Sequence, residues 1–162
     1  MLLGLHEKYS FFPRTGRAVF YDLGSGFGKP CLAAALTLPF YLEKCIGIEL
    51  LDGLYEKSLQ LQKQYELRKA EGDPQLEFIK EDFMANTEWS EIADVVFANA
   101  TCFSPEMVTQ ISKIMSERLK KGAVVIITTK TLEFEMGKFR ALPLIRKSMS
   151  WGSASVYVYI KN

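Results

Sequence analysis

The residues able to do chemistry fall into short clusters, each at the end of an apolar stretch. The first is Asp22-Leu-Gly24-Ser25-Gly26-Phe-Gly28. Glycines at this spacing permit a tight turn and close backbone approach, and the amides opening the next helix face the ligand. The second is Glu49, which closes Cys45-Ile-Gly-Ile-Glu49. A strand-end carboxylate can accept both hydroxyls of a ribose. The third is Glu81-Asp82-Phe83, where an acid can accept from an adenine amino group while a ring packs on the base. The fourth is Asn99, whose amide can bond a substrate amine or a cofactor. Each cluster has a plainer reading: a glycine-rich turn, a solvated strand-end glutamate, a turn-capping aspartate, a strand-end turn former. Their recurrence at one position after successive strands favours a nucleoside-bearing ligand. A dinucleotide fingerprint would need a third glycine at position 29, which is Lys29. That disfavours a nicotinamide dehydrogenase.

The elements that must position these clusters can be read from patterning. Ala18 to Leu23, Cys45 to Leu50, Leu76 to Lys80, Ala93 to Ala98 and Ala123 to Thr129 read as short apolar strands. Helices are expected from Pro30 to Thr37, from about Gly53 to Ala70 with Asp52 as cap, and from Ser104-Pro105 to about Lys120. Near-continuous apolar strands alternating with helices imply a parallel sheet covered on both faces. The stretch Phe134 to Ile145 reads as loop or irregular strand. Ser155 to Lys161 alternates with period two, as expected of a last strand in an antiparallel hairpin at the sheet edge. The expected fold is α/β: a doubly wound, seven-stranded, mostly parallel sheet.

Composition narrows the options. The 162 residues suit a single domain, with 48% hydrophobic and 24% charged residues. A net charge of +1 gives little whole-molecule attraction to nucleic acid or membrane. Cys31, Cys45 and Cys102 form no Cys-x-x-Cys pair, so neither a disulfide framework nor a zinc site is suggested. The sole histidine is His6, which removes most histidine-based catalysis and metal binding; no metal is expected. Pro30 to Leu42 is apolar but too short to span a membrane, and no secretory signal is apparent.

The acid before Gly-x-Gly-x-Gly resembles motif I of class I S-adenosylmethionine methyltransferases. Phe20-Tyr-Asp-Leu-Gly-Ser-Gly-Phe-Gly28 resembles more narrowly that of the disruptor-of-telomeric-silencing (Dot-one) histone-lysine methyltransferases. The resemblance continues at Cys45 to Glu49, at Glu81 to Phe83, and at Val96-Phe-Ala-Asn-Ala-Thr-Cys-Phe-Ser-Pro-Glu106. It returns at Leu119-Lys-Lys-Gly122, and at Ser150-Trp151 followed by Val156-Tyr-Val-Tyr159. It implies a Rossmann-like fold, with S-adenosyl-L-methionine as cofactor and S-adenosyl-L-homocysteine as product. It further implies methyl transfer to a lysine of a histone in a nucleosome, with indirect DNA contact, no membrane partner and a nuclear location. Without a histone substrate, a cytoplasmic location is expected.

Carried over by position, the resemblance gives the cofactor Asp22, Gly24, Ser25, Gly26, Gly28, Glu49, Asp82, Phe83 and Asn99. Asn99, Phe103 and Tyr159 would line a lysine channel, with Trp151 behind it. Core packing is an equal reading for Phe103 and Trp151, and Tyr157 competes with Tyr159 because alternation puts both on one face. Residues 1–17 are expected to be an N-terminal extension or lid remnant, with His6-Glu-Lys-Tyr9 a weak trace of the family's loop, and residues 18–162 the methyltransferase domain. No long Lys/Arg-rich tail is present to contact nucleosomal phosphates. A methyltransferase for another protein or small molecule, or a non-catalytic cofactor-binding scaffold, would share the same cofactor site.

Overall fold

A computed structural model describes Gly4, Phe12, residues 16–149 and residues 152–162. The elements in chain order are β1 (Ala18–Leu23), α1 (Lys29–Thr37), β2 (Leu42–Glu49), α2 (Asp52–Glu66), β3 (Gln75–Lys80), α3 (Trp89–Ile92) and β4 (Val95–Asn99). A 3-10 turn (Ala100–Cys102) leads to α4 (Pro105–Arg118), β5 (Val124–Thr128), β6 (Phe139–Ala141), β7 (Ile145–Met149) and β8 (Gly152–Lys161). The sheet runs β3-β2-β1-β4-β5-β8-β6, with β7 also on β8. Strands β1 to β5 pair in parallel and β8 runs antiparallel to β5.

This is the doubly wound α/β fold read from the patterning, but with eight strands in seven sheet positions. One edge of β8 is taken in two pieces. Ala141 faces Tyr159 while Ile145 faces Val156, so the register slips by one residue between them. Pro143 sits at the break, where a ladder donor is missing.

Each face of the sheet has its own core. One holds Phe20, Cys45, Leu76, Val95, Ile126 and Val158 under α1 and α2. The other holds Tyr21, Ile48, Val96, Val125 and Tyr159 under α3 and α4. All five residues of β5 are buried, which is why its sequence shows no alternation. Helix α4 starts as expected, with Ser104 Oγ accepting from Met107 N at 3.2 Å and Pro105 in the first turn. Asp52 does not cap α2. It lies within the first turn, Leu51 is the cap, and its carboxylate pairs with Lys80 across the gap to β3. The helix stops at Glu66, short of Ala70. The four-residue α3 had no periodic signal long enough to read. No helix among the described residues is long and apolar enough to cross a membrane.

Candidate active site

The chain leaves the sheet centre in both directions, from β1 toward β2 and from β4 toward β5. The carboxyl ends of β1 and β4 therefore form a switch point, the place where such folds bind ligands. The glycine loop occupies it. Gly24, Gly26 and Gly28 have φ of 72°, 55° and 80°, so side chains would strain all three positions. The loop is tied to β2 by its backbone: Gly24 N and Ser25 N donate to Ile48 O at 2.9 and 3.0 Å. Gly26 N donates to Glu49 Oε2 at 2.8 Å, and Leu51 N donates to Glu49 Oε1 at 2.9 Å. The Glu49 carboxylate, buried to 6% exposure, is thus aimed and held by two amides. A carboxylate has further lone pairs, so both oxygens can still accept hydroxyls.

Asp22 is 1% exposed beneath the loop. The only described hydrogen bond to its carboxyl is a weak one from Cys31 Sγ at 3.9 Å. Burial first, then the charge of Glu49, pushes its carboxyl up to about 8. Ser25 Oγ is also buried, and no described group hydrogen-bonds it. A buried carboxyl and an orphaned hydroxyl below the glycine loop fit a ligand bringing its own donors and acceptors.

A crevice of about 410 Å³ opens beside the loop, lined among others by Asp22, Ser25, Phe27, Pro30, Phe97 and Asn99. Asn99 Oδ1 accepts from Thr128 Oγ1 at 2.6 Å and from Thr101 Oγ1 at 2.8 Å. Thr101 Oγ1 lies 3.2 Å from Thr129 Oγ1. Thr129 is the one described non-glycine residue at positive φ, 73°, and Lys130 N bonds back to Thr128 O at 2.8 Å across it. This strained γ-turn stands where β5 reaches the site edge. With its oxygen committed, Asn99 has its amide N–H groups left for a ligand.

The expected residues do not all meet. Asp22, Gly24, Ser25, Gly26, Gly28, Glu49 and Asn99 gather at the switch point. Phe83 and Phe103 stand over Gly24 from the α4 side, their ring centroids 5.6 Å apart. Asp82 is exposed and its Oδ1 accepts from Met84 N at 2.8 Å, the geometry of a turn former. Tyr159 lies apart: its ring packs in the α4-side core, edge-on to Phe134, and its hydroxyl accepts from Leu132 N at 3.3 Å. Tyr157 is nearer the edge, in a separate cleft with Thr129 and Glu133. Trp151 and His6 to Tyr9 lie outside the described residues. Sequence reasoning missed Phe97. Its spacing of two from Asn99 in a strand, which puts both on one face, was the available signal.

The histone methylation protein DOT1 family model matches residues 13–140. The chain belongs to the DOT1 family. Its fold is shared by many methyltransferases of known structure. TrmN from Thermus thermophilus superposes with a TM-score of 0.73 at 15% identity, over 99% of this chain and 48% of that one. The putative methylase HI0767 from Haemophilus influenzae gives 0.67 at 20% identity, over 99% and 85%. A precorrin-6y C5,15-methyltransferase from Geobacter metallireducens gives 0.62 at 13% identity, over 94% and 85%. No curated protein shows significant sequence similarity to the chain. This DOT1-family chain is therefore a class I methyltransferase, and its cofactor is S-adenosylmethionine.

Proposed function

We propose that this protein transfers a methyl group from S-adenosylmethionine to a lysine amine of a histone, at the crevice between the glycine loop and Asn99. The observation that carries this reading is the crevice wall itself. Phe97 and Asn99 project from one face of β4, with Asp22 beside them, at the carboxyl edge of the sheet. Bound cofactor supplies an electrophilic methyl group. Glu49 would accept its ribose hydroxyls, Asp22 and the loop amides would hold its amino-acid end, and Phe83 with Asp82 would take the adenine. Phe103, packed against Phe83, backs that wall rather than the lysine.

A lysine amine has an ordinary pKa near 10.4 and is mostly protonated at neutral pH. The mostly apolar lining of the crevice disfavours the ammonium relative to the neutral amine, so the proton leaves to water before attack. The Asn99 amide N–H groups donate to a carbonyl oxygen of the acceptor peptide and so orient the incoming amine, whose lone pair stays free for attack. The sole histidine in the sequence is His6, so no histidine base from β1 to β8 is called for. Tyr157 is a better candidate than Tyr159 for contact with the acceptor peptide, because it borders an open cleft at the edge. A nuclear location and a nucleosomal substrate, with indirect DNA contact, follow from a histone acceptor.

The test is methyl incorporation from labelled cofactor into nucleosomes, free histones, unrelated proteins and small metabolites. Labelled nucleosomal histone, lost in Asn99→Ala, is the expected result. Label confined to metabolites or non-histone protein would replace the acceptor. Cofactor binding without transfer to any acceptor would leave a scaffold.

A further inference from the structure

The glycine loop has a floor, and the floor is an aromatic ring from two strands away. Phe78 in β3 is 5% exposed and lies on the α1 side of the sheet. Gly47 in β2 pairs with Phe78. A Cβ built on Gly47 would be 2.6 Å from Phe78 Cδ1, 2.7 Å from Phe78 Cε1 and 2.6 Å from Ser25 Oγ. A Cβ on Gly28 would run into Phe78 Cζ and lie 2.5 Å from Cε1. The ring therefore occupies the side-chain space of both glycines. It crosses β2 through the gap at Gly47 and meets the last residue of the loop at Gly28. Gly28 is also the residue from which α1 starts.

Gly47 has no need of glycine for its backbone, since no positive φ occurs there. Space is what its missing side chain provides, and Phe78 fills that space. We infer that Phe78 is a positioning residue for the cofactor: its ring fixes the height of the Gly24–Gly28 loop against β2 and so sets the direction of the loop amides. The inference rests on the reading that this loop holds the cofactor. Van der Waals contact through a rigid ring suits the task, because interiors resist compression and pass displacement on. No hydrogen bond from β3 reaches the loop among the described residues, so the ring is the mechanical link between them.

The test is a double-mutant cycle on the full chain using Gly47→Ala and Phe78→Leu. It has two readouts: cofactor affinity by calorimetry, and hydrogen exchange of the loop amides without cofactor. Gly47→Ala alone presses on both the ring and Ser25 Oγ, displaces the loop, and is expected to weaken cofactor binding about tenfold, the size of a contact coupling. Phe78→Leu alone is expected to speed exchange at residues 24–28 more than in β4 and β5. In the double variant the clash with the ring is relieved and the contact with Ser25 Oγ remains, so its affinity should lie closer to that of Phe78→Leu than the two single losses added together would place it. If Gly47→Ala does not fold, recovery of fold and binding in the double variant carries the same meaning. Additive losses, or loop exchange in Phe78→Leu no faster than in the rest of the sheet, would overturn the inference. Exchange is read on free protein, so it stands even if wild type fails to bind cofactor, which would sink the cofactor reading instead.

Discussion

The two ends of the sheet treat function differently. In the half built from β3, β2, β1 and β4, all strands run the same way, so their last residues gather on one edge. Glu49, the glycine loop and Asn99 each follow or end a strand, and meet without regard to fine register. At the other end, β8 starts near that edge and runs away from it. Thr128 pairs with Val156, Ile127 with Tyr157 and Val125 with Tyr159. Each two residues along β8 therefore carry a side chain about 7 Å further from the chemistry. A parallel edge gathers function by chain order; an antiparallel edge assigns it by register.

The hardest blow to the parallel half should be Glu49→Ala. It removes the ribose acceptor and releases the amides of Gly26 and Leu51 together. Cofactor affinity should fall about a hundredfold, roughly 3 kcal/mol, as for loss of two hydrogen bonds to a charged group. Calorimetry against wild type measures it, and an unchanged Kd would mean the loop binds without this carboxylate. Next in size is Asn99→Ala, which takes the amide from the crevice and strands the buried hydroxyl of Thr128. Here kcat/KM should drop about thirtyfold, roughly 2 kcal/mol, with cofactor Kd nearly unchanged. Equal losses in both would move Asn99 from the acceptor to the cofactor.

This contrast also explains what could be read beforehand. Positive-φ glycines announce themselves because backbone geometry dictates residue type at those places. The loop was legible for that reason, and the parallel fold from its apolar strands, while Glu49 and Asn99 stood out only as polar residues closing apolar strands. The tyrosines carried an alternation that fixed their shared face but not which face, nor their depth along it. Phe97 was hidden in an apolar run that reads as core. The β6–β7 break was hidden because a register slip at Pro143 is visible only against the partner strand.

Asp22 sharpens the comparison through pH. Its folded pKa, about 8, is raised above the ordinary 3.8, first by burial and then by Glu49. The free protein's stability from this group is therefore full below pH 4 and is lost as pH rises toward 8. Asp22→Asn should flatten that part of the stability profile. Cofactor affinity should run the opposite way. A cationic amino group needs the ionised carboxylate, so binding releases a proton and strengthens by about fivefold between pH 7 and 8. Calorimetry in buffers of different ionisation enthalpy counts the proton. No proton release in wild type would separate Asp22 from the cofactor's amino group.

The smallest effect belongs to the antiparallel end, and it decides whether that end is scaffold. Tyr159 is buried against Phe134, and its hydroxyl accepts from Leu132 N at 3.3 Å. Tyr159→Phe keeps the ring and strands one amide near the surface of the core. It should cost about 1 kcal/mol of stability, seen as a lower denaturation midpoint at unchanged slope. If the register assigns function as argued, kcat and KM should not move. Tyr157→Phe tests the neighbour with the same chemistry two residues nearer the edge, in the open cleft with Glu133. A rise in acceptor KM there, absent from Tyr159→Phe, would locate acceptor contact at the start of β8. The reverse pattern would bring Tyr159 back into the channel, and would require β8 to slide or open on the acceptor, breaking the ladder with β5.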